Sequence, residues 1–144
     1  MISANFKIQE FVPKEIYDVY GDRSIMFIDK RIIDIVQALR DISGRPIVIN
    51  NWHTSSPGNK YNESGYRKPD TKTGAKYSQH KFGRAADVKV SGMNPKDVVN
   101  LILKNEMYFV NLGLTTIENV EHTPTWVHLD CRWTGLDKIN FVNP

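Results

Sequence analysis

The stretch 78–87, which reads SQHKFGRAAD, constrains the fold more than any other part of the sequence. It carries His80 and Asp87 with Gly83 between them. A glycine permits a tight turn where a side chain would crowd the bend. We therefore expect His80 on a loop and Asp87 on the strand that leaves the turn, and this arrangement predicts two ligands of a metal site.

A third ligand is predicted in the segment 125–132, which reads TWVHLDCR. Alternate residues of a strand face opposite sides of a sheet. One face therefore carries Val127, Leu129 and Cys131, and the other carries Trp126, His128, Asp130 and Arg132. His128 lies on the polar face and is the best candidate. Zinc binds imidazole nitrogen and carboxylate oxygen, and three protein ligands leave one position open for water, as in catalytic zinc sites.

The two motifs together, S-x-H-x-x-G-x-A-x-D and W-x-H-x-D, resemble those of the zinc D-Ala-D-Ala carboxypeptidase family. This family includes phage endolysin peptidases and shares its fold with the hedgehog signalling domain. The motif residues are Ser78, His80, Gly83, Ala85 and Asp87, then Trp126, His128 and Asp130. The resemblance covers about residues 45–134. It is nearest to the phage branch, whose sequence N-N-W-H is present at 50–53.

The resemblance implies an α+β fold with a small, mainly antiparallel sheet, helices packed on one face and the metal on the other. We expect one domain over residues 1–144. The implied cofactor is Zn²⁺, held by His80, Asp87 and His128. Ser64-Gly65-Tyr66-Arg67 resembles the segment in which the family places an arginine facing the substrate, and a guanidinium is suited to hold a carboxylate.

The activity implied by the resemblance is hydrolysis of peptidoglycan peptides by a zinc peptidase, either a D,D-carboxypeptidase or an L,D- or D,D-endopeptidase of the endolysin type. Arg67 would bind the substrate's carboxylate or the developing oxyanion. Trp126 is expected to contact substrate. Ser78 could bind substrate, support a metal ligand or simply form the turn.

One departure from the family leaves a second interpretation open. The family commonly has an acidic residue three positions before the final histidine, where this chain has Thr125. A catalytically inactive virion, tail or wall-binding module with the same fold is therefore the alternative.

Three other carboxylates compete for the role of general base. Asp130 shares the predicted face of His128 but could equally be a supporting or structural carboxylate, and Glu121 lies at a turn. Glu118 ends the preceding strand, and in a hairpin with Glu118 opposite Trp126 it would lie on the face of His128. A one-residue change of register would reverse that face. Glu118 is the first choice.

Composition is ordinary for a globular domain of 144 residues, with 40% hydrophobic and 24% charged residues. No apolar run approaches the ~20 residues of a membrane span, and the amino terminus lacks the pattern of a signal peptide. Cys131 is the one cysteine and is expected to be buried in a strand. The net charge of +3 is scattered, without the dense basic run typical of nucleic-acid binding.

These features predict the partner and the location. We expect the partner to be a peptidoglycan stem or cross-link peptide, and the protein to be a monomer unless it belongs to a virion. A phage-encoded protein made in the bacterial cytoplasm and acting on the cell wall, or a virion-associated one, fits this expectation.

Periodicity also predicts the secondary structure. Helical spacing is found over 26–41 and 94–106, and strand patterns over 46–50, 84–90, 114–118 and 125–131. A brief helix is expected after Pro13. The polar stretch 51–77 is predicted to be an ordered functional loop.

Overall fold

A computed structural model describes residues 1–144, with four α-helices and five short strands. The helices are α1 (Lys14–Tyr20), α2 (Lys30–Ser43), α3 (Pro95–Lys104) and α4 (Glu106–Leu112). The strands are β1 (Ile47–Val48), β2 (Ala85–Val90), β3 (Thr116–Glu118), β4 (Val127–Asp130) and β5 (Asn140–Val142). Four 3₁₀ turns cover Ile8–Glu10, Gly21–Phe27, Gln79–Phe82 and Val120–His122.

The helix ends follow local sequence signals. The Asp29 side chain caps α2 by accepting a hydrogen bond from the backbone N–H of Arg31, and Gly44 ends the helix with a φ of 64°. Asn94 caps α3 in the same way, with proline at the first helical position. No helix combines the length and the apolar character that a membrane crossing needs.

The strands form one sheet in the order β1-β2-β4-β3-β5. The first three pairings are antiparallel, and β3 and β5 run parallel. In the centre, β4 lies between β2 and β3, with Asp87 opposite His128 and Ile117 opposite Leu129. The predicted α+β class with a small, mainly antiparallel sheet is confirmed.

The two faces of the sheet have different roles. Helices α2 and α3 pack against β2 and β4, and the main core joins residues such as Leu39 and Ile102 to Val88 and Leu129. Cys131 is buried in this core, as expected, and burial raises the pKa of its thiol to about 12. Helices therefore cover one face and leave the other for polar side chains.

Some element boundaries differ from the predictions. The helix predicted over 26–41 begins at Lys30, because the Asp29 cap starts it there, and the preceding residues form a 3₁₀ turn. The helix predicted to end near 106 stops at Lys104, and α4 follows as a separate helix. Strand β5 has no counterpart in the prediction. The stretch 51–77 contains no helix or strand, as expected of a loop.

Candidate metal centre

The turn that carries His80 is fixed at both ends. The Ser78 hydroxyl accepts a hydrogen bond from the backbone N–H of His80, and Gly83 ends the turn with a φ of 70°. A Cβ added at Gly83 would lie 1.8 Å from the carbonyl oxygen of Phe27. Only glycine fits both the conformation and the space, so this residue fixes the path from His80 into β2.

The segment 64–67 lies between this turn and β2 and is held by its own backbone. The Ser64 carbonyl accepts from the Asp87 N–H at 2.7 Å, and the Arg67 N–H donates to the His80 carbonyl at 3.0 Å. A Cβ at Gly65 would approach the Phe11 carbonyl oxygen to 2.3 Å. The glycine of the Ser-Gly-Tyr-Arg segment is therefore required by close packing, and the segment is placed directly against both predicted ligands.

Strand pairing places three polar side chains in one row. Asp87 on β2 pairs with His128 on β4, and the register of β3 against β4, continued by one residue, brings Glu118 opposite His128 from the other side. The predicted pairing of Glu118 with Trp126 is therefore wrong by two residues. A shift of two keeps the side chain on the same face, so Glu118 still lies beside His128.

The three predicted metal ligands meet on this face. His80 Nε2 lies 3.3 Å from Asp87 Oδ1, His128 Nδ1 lies 3.0 Å from the same oxygen, and the two nitrogens are 3.2 Å apart. A tetrahedral zinc with bonds of about 2.0–2.1 Å would hold neighbouring ligand atoms about 3.3 Å apart. These three atoms have the spacing of three corners of such a site.

Hydrogen bonding at the outer ring nitrogens favours the same conclusion. His80 Nδ1 donates to the Gly65 carbonyl at 2.7 Å, and His128 Nε2 donates to Asp130 Oδ2 at 2.9 Å. These bonds select the neutral tautomers in which the inner nitrogens, His80 Nε2 and His128 Nδ1, carry no hydrogen. Both then direct a lone pair toward the carboxylate oxygen of Asp87. Three converging lone pairs repel each other unless a cation lies between them, so the donor set fits a metal ion.

Without a metal, a proton takes that place. Burial opposes protonation of His128, but hydrogen bonds to Asp130 and Asp87 outweigh it and raise the pKa of His128 to about 9. Burial likewise opposes ionisation of Asp87, but the charges and hydrogen bonds of His80 and His128 outweigh it and hold the pKa of Asp87 well below its usual range. The site is thus built to attract positive charge.

Asp130 supports His128 from inside the protein. Its carboxylate is fully buried and accepts hydrogen bonds from Arg132 Nε at 2.9 Å and Nη2 at 2.5 Å, as well as from His128. Burial acts to raise the pKa of Asp130, but these partners outweigh it and lower the pKa. An ionised carboxylate behind the imidazole fixes its tautomer and makes it a stronger ligand.

Arg67 is attached to the site by two contacts. Its Nε donates to the Glu63 carbonyl at 2.7 Å, and its Nη2 donates to Asp87 Oδ2 at 3.1 Å. Asp87 therefore offers one oxygen to the histidines and the other to the arginine. Arg67 Nη1 donates to no protein acceptor, so this nitrogen remains able to donate to a ligand.

A cleft of about 410 Å³ opens over the ligand atoms. Its walls include four other predicted site residues: Arg67, Ser78, Glu118 and Trp126. Glu118 Oε1 is 3.9 Å from His128 Nδ1. Two of the predicted carboxylates do not line the cleft, since Asp130 is buried behind His128 and Glu121 is exposed on the 3₁₀ turn after β3.

Sequence reasoning did not assign a role to several groups that hold or neighbour the site residues. The Glu63 and Gly65 carbonyls are backbone acceptors, which carry no sequence signal of their own. Arg132 had a signal, because it shares the polar face of the last strand with His128 and Asp130. Lys89 had a similar one, because it is two residues from Asp87 on β2.

Comparison with known proteins gives one match. A family model described as Peptidase M15 matches residues 9–130. Searches of the curated proteins and of the solved structures found no match. The matched range contains all three predicted ligands, and it also contains Asp130, which supports His128.

Proposed function

Because the chain belongs to the Peptidase M15 family, we propose that it is a zinc peptidase that hydrolyses peptide bonds of bacterial peptidoglycan. One observation carries this proposal. Asp87, His128 and Glu118 form a row across three strands. His80 joins them from the 3₁₀ turn before β2, and all four side chains line the open cleft. The row combines a metal-binding donor set with a free carboxylate, which are the two parts that metal-assisted hydrolysis needs.

We propose that His80 Nε2, Asp87 Oδ1 and His128 Nδ1 hold the zinc ion. A bound zinc ion supplies Lewis acidity, which polarises the scissile carbonyl and acidifies a water molecule. The chain's contribution is to orient both imidazoles with an inner nitrogen toward the ion, through the Gly65 carbonyl and the Asp130 carboxylate.

Glu118 is our proposed general base. Its side chain is largely buried at the cleft wall and lies across β4 from Asp87, beside His128. It would accept a proton from the attacking water and return it to the leaving amine. Asp130 is poorly suited to this role, because both of its oxygens already accept hydrogen bonds in the interior.

Arg67, Ser78 and Trp126 are proposed substrate contacts on the same cleft. Arg67 Nη1 is the guanidinium nitrogen left for a substrate carboxylate or a developing oxyanion. Ser78 caps the turn of His80 with its hydroxyl, so we assign it first to the turn and second to the substrate.

The test is digestion of purified peptidoglycan, with new amino termini as the readout. We expect cleavage that a zinc chelator abolishes and added zinc restores. Glu118→Gln should lower kcat by about a hundredfold or more while zinc stays bound, and Glu121→Gln, the matched change at an exposed position, should leave it unchanged. A zinc-loaded protein that cleaves nothing would support the inactive binding module instead.

The finer assignments rest on the resemblance of the two motifs to the family that includes phage endolysin peptidases, and of residues 50–53 to its phage branch. We propose an endolysin-like enzyme acting on stem or cross-link peptides. Mass analysis of the digest separates the alternatives, because a carboxypeptidase releases a single terminal amino acid and an endopeptidase releases larger fragments. Lysis of bacteria that express the protein after their membrane is permeabilised is the expected result for an endolysin.

A further inference from the structure

Lys89 lies on the metal-binding face without an acidic partner. It follows Asp87 by two residues on β2 and is half-buried. Its Nζ lies 4.0 Å from the centre of the Tyr61 ring and 5.9 Å from that of Trp126. No carboxylate is within ion-pair distance of this nitrogen, and the second oxygen of Asp87 is taken by Arg67.

A half-buried ammonium without an anion is costly to keep. Partial burial removes water from the charge, and cation–π contact with two rings replaces only part of that hydration. The rings also hold the flexible stem in one position, which lowers the entropy cost when a ligand binds. A carboxylate that enters the site would therefore meet a cation that is already oriented and partly desolvated.

The position of Lys89 relates it to the cleft. Trp126 lines both the cleft over the metal ligands and a smaller cavity of about 100 Å³, and Lys89 lines the smaller one. Along a strand, residues two apart are separated by about 7 Å. A peptide in extended form that crosses the metal site along β2 would reach Lys89 about two residues from its scissile bond.

We propose that Lys89 is a specificity-determining residue that binds a carboxylate of the substrate peptide through its ammonium group, about two residues from the bond that is cut. This inference rests on the proposed peptidase function. The carboxylate could be the chain end of the peptide or belong to an internal residue, and the chemistry of recognition is the same.

Synthetic peptides test this on the unaltered protein. One series carries a free carboxylate or its carboxamide at the chain end, and a second series carries the same pair at an internal residue two positions from the cut. We expect one of the two carboxylates to raise kcat/KM by about tenfold to hundredfold over its amide, mainly through a lower KM. The series that responds identifies the source of the carboxylate.

Variants of Lys89 complete the experiment. Lys89→Met keeps the length of the stem but removes the charge, so the preference for the acid should disappear, whereas Lys89→Arg should keep most of it. Lys96→Met, the same change on the exposed surface of α3, should leave the preference intact. If Lys89→Met is unstable, Lys89→Gln is the second variant, because it also removes the charge, and the preference for the acid should disappear in it as well.

The outcomes separate two failures. Cleavage of acid and amide peptides at equal rates in both series overturns the role of Lys89 and leaves the peptidase function standing. A preference that survives in Lys89→Met overturns it too, because another group must then bind the carboxylate. Absence of zinc-dependent cleavage of every peptide and of peptidoglycan contradicts the peptidase function, and the inference with it.

Discussion

Replacement of Asp130 by Asn should weaken zinc binding although Asp130 is not a predicted ligand. The carboxylate is fully buried and accepts the His128 Nε2 hydrogen at 2.9 Å. Asparagine has nearly the same shape but no charge. His128 therefore donates less electron density to the zinc ion, and Arg132 loses its ion pair. Loss of such a supporting carboxylate costs about tenfold to hundredfold in metal affinity, or about 1.4–2.8 kcal/mol.

The same substitution should change the pH dependence of zinc binding. Zinc must displace the proton of His128, because a ligating imidazole is neutral. With the pKa of His128 raised to about 9, that competition weakens binding about hundredfold at about pH 7. The affinity of the unaltered protein should therefore rise about tenfold per pH unit from about pH 7 to about pH 8.5.

In Asp130→Asn this dependence should flatten. Burial already opposes protonation of His128, and the hydrogen bond to Asp130 is the foremost interaction that outweighs burial. Without it the pKa of His128 moves toward its ordinary value of about 6.5. A smaller fraction of His128 then carries a proton that zinc has to displace near neutral pH. The loss of affinity should therefore be largest near pH 8.5 and smaller near pH 7.

Competition with a chromophoric zinc chelator over a pH series measures both effects. Asp137→Asn removes a carboxylate from an exposed loop and serves as the matched control, which should follow the unaltered protein at every pH. If Asp130→Asn gave a pH dependence parallel to that of the unaltered protein, Asp130 would not govern the proton on His128. An unchanged affinity near pH 8.5 would refute its role as a supporting carboxylate.

Two further predictions concern stability. Gly83→Ala should cost about 3 kcal/mol or more, because the new Cβ meets the Phe27 carbonyl oxygen at 1.8 Å. Gly135 has a similar positive φ but only a side chain nearby, so Gly135→Ala should cost about 1–2 kcal/mol. Equal urea midpoints for the two variants would contradict the predicted clash at Gly83. With zinc chelated, the raised pKa of His128 stabilises the fold fully below about pH 6.5, and about 3 kcal/mol should be lost as pH rises through about 9. A midpoint of unfolding that stays constant or rises over this range would contradict that.

The parts of the site that sequence could predict are those with local patterns. The turn at Gly83 and the alternation along β4 each depend on a few neighbouring residues, so spacing alone was sufficient to select His80, Asp87 and His128 as candidates. Strand β5 is different. It pairs in parallel with β3, and its residues 140–142 carry no period that separates a strand from the loop around them. Such pairing is determined by the rest of the fold.

Contacts between distant segments were equally invisible in the sequence. Lys89 meets the ring of Tyr61 only because the loop 51–77 folds back over β2. The predicted register of Glu118 failed for a related reason, since the turn between β3 and β4 contains a 3₁₀ segment that sets the pairing two residues away from the expected one. The face of Glu118 was unaffected, because an even shift preserves it.

The absent acid at position 125 leads to a last prediction: Thr125→Glu should not restore activity to Glu118→Gln. Residue 125 lies in the turn that precedes β4, three positions before His128. Because three is an odd number, strand alternation would direct its side chain to the face opposite that of His128. Thr125 lines the smaller cavity together with Val88 and Val127, not the cleft over the ligand atoms. A glutamate there would need a change of backbone path to reach the metal site. Peptidoglycan hydrolysis by the folded, zinc-loaded double variant measures this, with Thr125→Glu alone as the control for damage. Glu118→Gln alone is expected to lose a hundredfold or more. If the double variant recovered to within about tenfold of the native rate, a glutamate at position 125 would be able to reach the reacting water. The position of Glu118 would then not be what makes it the general base.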